Sequence, residues 1–279
     1  MFNRGRNQST VPAGALSREK QLALLIGAAL AGLLLLIGLG YAVYYSIHPA
    51  SPAARPHSSI PRGQATAGPP GPDDPTRARR DDLAARPMPP GSAAEAHPSV
   101  LSTRDPGFIM LPPSTTSGPV GVPAGFEHTP AGALAQLAAI DKAALDSVSL
   151  GGARAVIEGW AAPGGPTAAT WSGVKAMADF LSAAGLSAGK APNLALTATP
   201  IMGLVKAADG PGWVVACVDF EVDATLARTA RVALADCQRM AWQANRWVIG
   251  PGAEPAPAPS LWPGTDAAID AGYKELRNG

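Results

Sequence analysis

From Leu22 to Val43 the chain carries no charged residue, with Lys20 just before the run and Tyr44 and Tyr45 just after it. About 20 such residues at 1.5 Å each cover the hydrocarbon core of a bilayer, whereas a soluble core helix is usually shorter and keeps a polar face. The run therefore reads as one membrane-spanning helix, within a segment 21–45. Arg4, Arg6, Arg18 and Lys20 precede it, while Arg55 and Arg62 are the only basic residues soon after it. The positive-inside bias then leaves the N-terminus in the cytoplasm and everything beyond Tyr45 outside. A cleavable leader has an apolar stretch of roughly 7–15 residues, and only poor small-residue cleavage sites follow here around Ala50 to Ala54, so the expectation is an uncleaved anchor. Ala28 and Gly32 form a small-xxx-small pair on which two such helices can approach.

This anchor divides the chain. Residues 1–20 are a short basic cytoplasmic tail. Residues 46–120 are rich in Pro, Gly, Ser and Ala and lack an apolar period, which predicts a disordered linker. Its reach would be roughly 200 Å if polyproline-like and about 50 Å as a flexible coil. Residues 121–279 remain for one extracytoplasmic domain. A formal net charge of +1 with 15% charged residues provides no basic field for a phosphate backbone, so direct binding of nucleic acid is not expected.

Within that domain the period changes once. Thr129 and Pro130 provide a cap and first turn for a helix over about 130–147. Gly151 and Gly152 are expected to interrupt before a short helix around Ala153 to Trp160, and a third helix covers about 168–184, ended by Gly185. After Pro192 come strand signals at Leu194–Val205, Trp213–Ala224, Thr229–Trp242 and Arg246–Ile249, with Ala244-Asn245 as a tight turn. Thr265 then caps an expected last helix with Ile269, Tyr273 and Leu276 on one face. Helices first and a meander afterwards imply an α+β fold, with helices packed on one face of a curved antiparallel sheet.

Cys217 and Cys237 are the only cysteines, and disulfides persist in the compartment the topology implies. A hairpin centred on Ala227 places them opposite one another, along with Phe220 and Leu234, Val222 and Val232, and Asp223 and Arg231. A structural disulfide is the expectation, against two separate buried thiols. Asp236 and Gln238 fall on the apolar face in this register, and a bulge near them would spoil it. Asp219, Glu221 and Asp223 share the other face at period two. A solvated strand face accounts for them, since Ca²⁺ needs six or more converging oxygens. His48, His57, His97 and His128 lack zinc spacing, and neither a Gly-x-Ser-x-Gly elbow nor a phosphate-cradling loop occurs. No catalytic residue, metal or cofactor is expected. The tryptophans Trp160, Trp171, Trp213, Trp242, Trp247 and Trp262 are assigned to the core.

The segments Gly125-Phe126-Glu127-His128-Thr129 through Gly132-Ala133-Leu134-Ala135, and Trp262-Pro263-Gly264 before the last element, resemble single-span membrane proteins of actinobacterial conjugative and integrative elements. The resemblance covers roughly the last 160 residues. It implies a nuclear-transport-factor-2-like, cystatin-type ectodomain of the kind used by type IV secretion assembly factors. The function implied is a non-enzymatic bitopic scaffold in the cytoplasmic membrane, working with other subunits of a transfer or secretion complex, with copies of itself as a further candidate partner. A second resemblance, to mammalian-cell-entry-associated membrane proteins, implies instead a module that binds a lipid or cell-wall fragment.

Overall fold

The computed structural model describes residues 74–186, 194–225 and 229–279. The expected tail, the span Leu22–Val43 with Ala28 and Gly32, and the first part of the expected linker lie outside the described residues. No helix among the described residues is long and apolar enough to cross a membrane. In chain order the elements are α1 (Pro75–Ala85), β1 (Phe108–Leu111), β2 (Thr116–Ser117), β3 (Pro123–Ala124), α2 (Pro130–Asp146), α3 (Leu150–Trp160), α4 (Ser172–Ala183), β4 (Ala195–Ala208), β5 (Trp213–Thr225), β6 (Thr229–Gln243), β7 (Arg246–Ile249), α5 (Asp266–Asp270) and β8 (Lys274–Asn278). The fold is α+β: helices rest on a strongly curled, mixed six-stranded sheet of order β1-β8-β4-β5-β6-β7.

Local chemistry sets the helix starts. The Thr129 hydroxyl accepts from the Gly132 amide at 3.0 Å, with Pro130 in the first turn where no intrahelical donor is required. Ser149 does the same for Gly152. Gly151 and Gly152 therefore lie inside the first turn of α3 and do not interrupt it. At Gly152 a Cβ would collide with Ser147, so the tight corner from α2 into α3 requires glycine there. Helix α4 ends ahead of Gly185, whose φ of +72° is the left-handed conformation that stops a helix without steric cost.

The β5–β6 hairpin has the register the cysteines implied. Cys217 faces Cys237, Phe220 faces Leu234, Val222 faces Val232 and Asp223 faces Arg231, without a shift from Thr225–Thr229 to Trp213–Ala241. No bulge interrupts this pair at Asp236 and Gln238. Irregularities sit instead in β4, between Pro200 and Met202 and between Val205 and Ala207, where an extra residue bends the sheet. Ala244 and Asn245 both take positive φ, 48° and 60°, the twist a two-residue turn into β7 demands.

Three expectations need correction. The sheet is mixed, because β8 pairs antiparallel with β4 but parallel with β1. The last helix stops at Asp270: Gly272, at φ +92°, turns the chain, and Tyr273 and Leu276 do not share a helical face. Tyr273 is buried with its hydroxyl donating to the Pro259 carbonyl at 3.1 Å, and residues 274–278 extend into β8. Finally, residues 74–120, expected as linker, hold α1, β1 and β2. They lack a period of their own because tertiary contacts order them. Arg79 and Arg80 pair with Asp209, Lys206 donates to the Ala84 carbonyl at 3.1 Å, and the Trp262 amide donates to the Glu95 carbonyl at 2.6 Å.

This layering gives β5 two buried faces. Val214, Ala216, Val218, Phe220 and Val222 pack under α2, α3 and α4 in the main core. Trp213, Val215 and Cys217 face the other way, beneath Ala84, Met88, Leu261 and Tyr273. A three-layer arrangement results, with the strap of residues 74–101 forming much of the outer layer.

Candidate functional site

On the concave face the hydrophobic alternation of β6 is broken by Asp236 and Gln238, which stand between Leu234 and Met240. Helix α2 brings Asp141 onto the same face, one turn from Leu137 and Ala144 and buried with them. Helix α4 supplies Ser172 as its first residue. Its cap residue Trp171 has no side chain that can accept the free amides of the first turn, and the Glu254 carboxylate, from the Pro-rich segment after β7, takes that role. Glu254 Oε1 accepts from the Ser172 amide and from the Ser172 hydroxyl, both at 2.9 Å.

The rest of the network is short of protons. Ser172 Oγ also lies 3.2 Å from Asp236 Oδ1, yet one hydroxyl proton serves one acceptor. Gln238 Nε2 donates to Asp236 Oδ2 at 2.9 Å and to Glu254 Oε1 at 3.2 Å. Burial raises the Asp236 pKa to about 6, with the Glu254 charge adding to the rise and the Gln238 and Ser172 hydrogen bonds opposing it. A proton on Asp236 donating to Ser172 Oγ, with Ser172 donating to Glu254, satisfies the chain. Asp141 has no such partner. Both its oxygens are buried and unbonded, and burial, then the charges of Asp236 and Glu254, push its pKa well above the carboxylate range.

These groups border a cavity of about 60 Å³ lined by Asp141, Trp171, Ser172, Phe220, Leu234 and Asp236, with small alanines and Gly173 completing it. The Trp171 indole N–H is buried and unbonded, as is Gln238 Oε1 behind Asp236. Unpartnered buried donors and acceptors are rare because each costs about 1–3 kcal/mol, and Asp141 and Trp171 bring three such atoms into the residues that line this cavity.

The residues singled out by sequence are distributed differently. Cys217 and Cys237 are bonded on the opposite face of the sheet, Cα atoms 4.1 Å apart, with Met88 Sδ 3.9 and 3.8 Å from their sulfurs. Glu221 and Asp223 both pair with Arg231 at the surface. Asp219 is not part of a solvated face: it is fully buried under Leu261 and its pKa is raised to about 8 by burial. The Leu261 amide pulls the other way, though it lies outside hydrogen-bond geometry to either oxygen. His128 stacks on Trp242 with centroids 4.3 Å apart and meets the edge of Trp247 at 5.5 Å. Among the described residues no group of three or more His, Cys, Asp or Glu side chains is placed to hold a metal ion. Asp141, Ser172 and Glu254 were not legible as a site. The one signal was Asp236 and Gln238 on an apolar face.

The class this defines is an α+β domain with a carboxylate-lined cavity between helices and a curled sheet. Comparison of the chain with family models, curated proteins and solved structures finds no match.

Proposed function

We propose that the chain is a non-enzymatic, single-pass subunit of the cytoplasmic membrane, N-terminus inside, that presents its α+β domain outside for assembly with other subunits of a conjugative DNA-transfer or type IV secretion-like apparatus. The nuclear-transport-factor-2-like, cystatin-type reading of the domain belongs to the same proposal. The observation that carries it is the outer edge of the sheet. Strand β1 pairs on one side with β8 and on the other with no strand among the described residues, and its Phe108 and Met110 are 52% and 49% exposed. An uncovered edge with apolar side chains is a template for an added strand, which natural sheets otherwise cover or charge. Anchoring makes a modest edge affinity sufficient, since it raises the effective concentration of neighbours, including copies of the same chain packed through Ala28 and Gly32.

The test is a photo-crosslinking residue at Met110 in native membranes. A discrete adduct with another membrane-complex subunit, lost in Phe108→Lys/Met110→Lys, is expected. Adducts of equal yield from Lys175 on the exposed face of α4, or an assembly indifferent to the charged edge, refute the reading. A second reading, a module binding an envelope ligand, is favoured by the cavity beside Asp141. At about 60 Å³ it suits a small polar group and not a lipid chain.

A further inference from the structure

We propose that the cavity between α2, α4 and the concave face of β5 and β6 binds a small primary ammonium compound that also carries one acceptor oxygen, the class of the amino alcohols. The proposal goes beyond the assembly reading and stands or falls independently of it. The argument is one of supply and demand. Unused acceptors at the site are Asp141 Oδ1 and Oδ2, with Gln238 Oε1 behind them, while the one unused donor among the lining side chains is the indole N–H of Trp171. A primary ammonium supplies three N–H donors and no acceptor, so it answers Asp141 and leaves Trp171 unanswered. A hydroxyl oxygen on the same small molecule answers Trp171.

Charge and size narrow the class further. Asp141 on α2 and Asp236 on β6 line the cavity, the Glu254 carboxylate lies behind Ser172, close enough to act on Asp141, and no cationic side chain lines the space. An anion is therefore repelled, and a neutral ligand leaves Asp141 without an opposite charge. A single water needs about 10–15 Å³ of such space, so about 60 Å³ holds roughly four to six water-sized groups, enough for a few heavy atoms. Phe220, Leu234 and Ala176 line the wall with hydrocarbon against which methylenes fit. The charged end of the ligand replaces the proton on Asp141, so binding releases a proton.

The experiment uses the full-length protein labelled with ¹⁵N-tryptophan, whose six indole signals, assigned by Trp171→Phe, include one inside the cavity. Ethanolamine, ethylammonium and ethylene glycol are titrated in turn, with calorimetry giving the affinities. Saturable movement of the Trp171 signal is expected with ethanolamine, several-fold weaker binding with ethylammonium, and none with ethylene glycol. Affinity for ethanolamine should rise by about tenfold per pH unit while Asp141 is still protonated in the free protein. Asp141→Asn should weaken binding by at least about tenfold, the scale of losing a charge-assisted hydrogen bond. A Trp171 signal that does not move, or moves equally with ethylene glycol, overturns the proposal without recourse to any variant. So does an affinity that is flat with pH.

Discussion

Replacing Asp219 by Asn should make the protein more stable at neutral pH and alter the pH dependence of its stability. Asp219 sits beneath Leu261 with both carboxyl oxygens unbonded and a pKa near 8 in place of the ordinary 3.8. Between those two values the folded state holds a proton that the unfolded state has lost. Stability must then fall as pH rises, by about 1.4 kcal/mol per unit, and the part contributed by protonation is fully present only below about pH 4. At pH 7 burial of this carboxyl costs about 4 kcal/mol relative to a group that never ionises. The Asn amide is also buried without a partner, which returns about 1–3 kcal/mol, so a net gain of about 1–3 kcal/mol is expected at that pH. Guanidinium unfolding followed by tryptophan fluorescence is a suitable assay, because all six tryptophans, Trp160 to Trp262, lie in the described domain. Asp141 and Asp236 slope in the same direction in both proteins and cancel from the difference. Tyr273 is pushed upward by burial and by the Asp219 charge, away from the window. A variant-minus-wild-type difference that stays flat from pH 5 to 8, or slopes downward, would refute the reasoning.

Removing the cross-link with Cys217→Ala/Cys237→Ala should cost roughly 3 kcal/mol for a loop closed over 20 residues, read from denaturation midpoints, and reductant should then have no further effect on the variant. Gly132→Ala should destabilise by about 1–3 kcal/mol because its Cβ would fall on the Glu127 carbonyl oxygen. Gly151→Ala, which meets nothing within 4 Å, should instead raise the melting temperature slightly, and equal effects at the two glycines would count against the packing described. Arg239 is only 6% exposed and its guanidinium is held by Asp81 at 2.5 Å, so Asp81→Asn leaves a buried charge unpaired. Tryptic cleavage after Arg79 or Arg80 should accelerate in that variant with the disulfide still intact.

How much of this was legible depends on the range of the forces involved. The β5–β6 register could be read from Cys217 and Cys237 because a hairpin is local and a single turn fixes every pair. Helix α2 was legible for the same reason, since Thr129 and Pro130 act within one turn. Residues 74–120 were not. Arg80 meets Asp209 across 129 positions, and no window of sequence shows that contact. Distance along the chain also hid Asp219. Its alternation with Glu221 and Asp223 implies solvent on that face, and the residues beside it, Leu261 and Tyr273, come from a segment more than forty positions downstream. At the cavity, Asp236 and Gln238 signal a misfit on the apolar face without showing what they meet. The network that resolves it needs Ser172 and Glu254, one from a helix start and one from a Pro-rich segment without periodicity.

The placement of β8 governs when the sheet can be finished during synthesis. Residues 274–278 lie between β1, made more than a hundred residues earlier, and β4. A nascent chain halted before Lys274 has a foldable meander from Ala195 to Ile249 but nothing for Phe108–Leu111 to pair with. Closure of that corner therefore waits until residues 274–278 have emerged, a loop closure of large sequence separation that follows formation of the local hairpins. Until it occurs both flanks of β1 are without a partner strand among the described residues, and its apolar edge is offered to whichever strand arrives first. Chaperoning of Phe108–Leu111, or rapid delivery of the residues beyond 273, decides between the native seam and a strand-exchanged one.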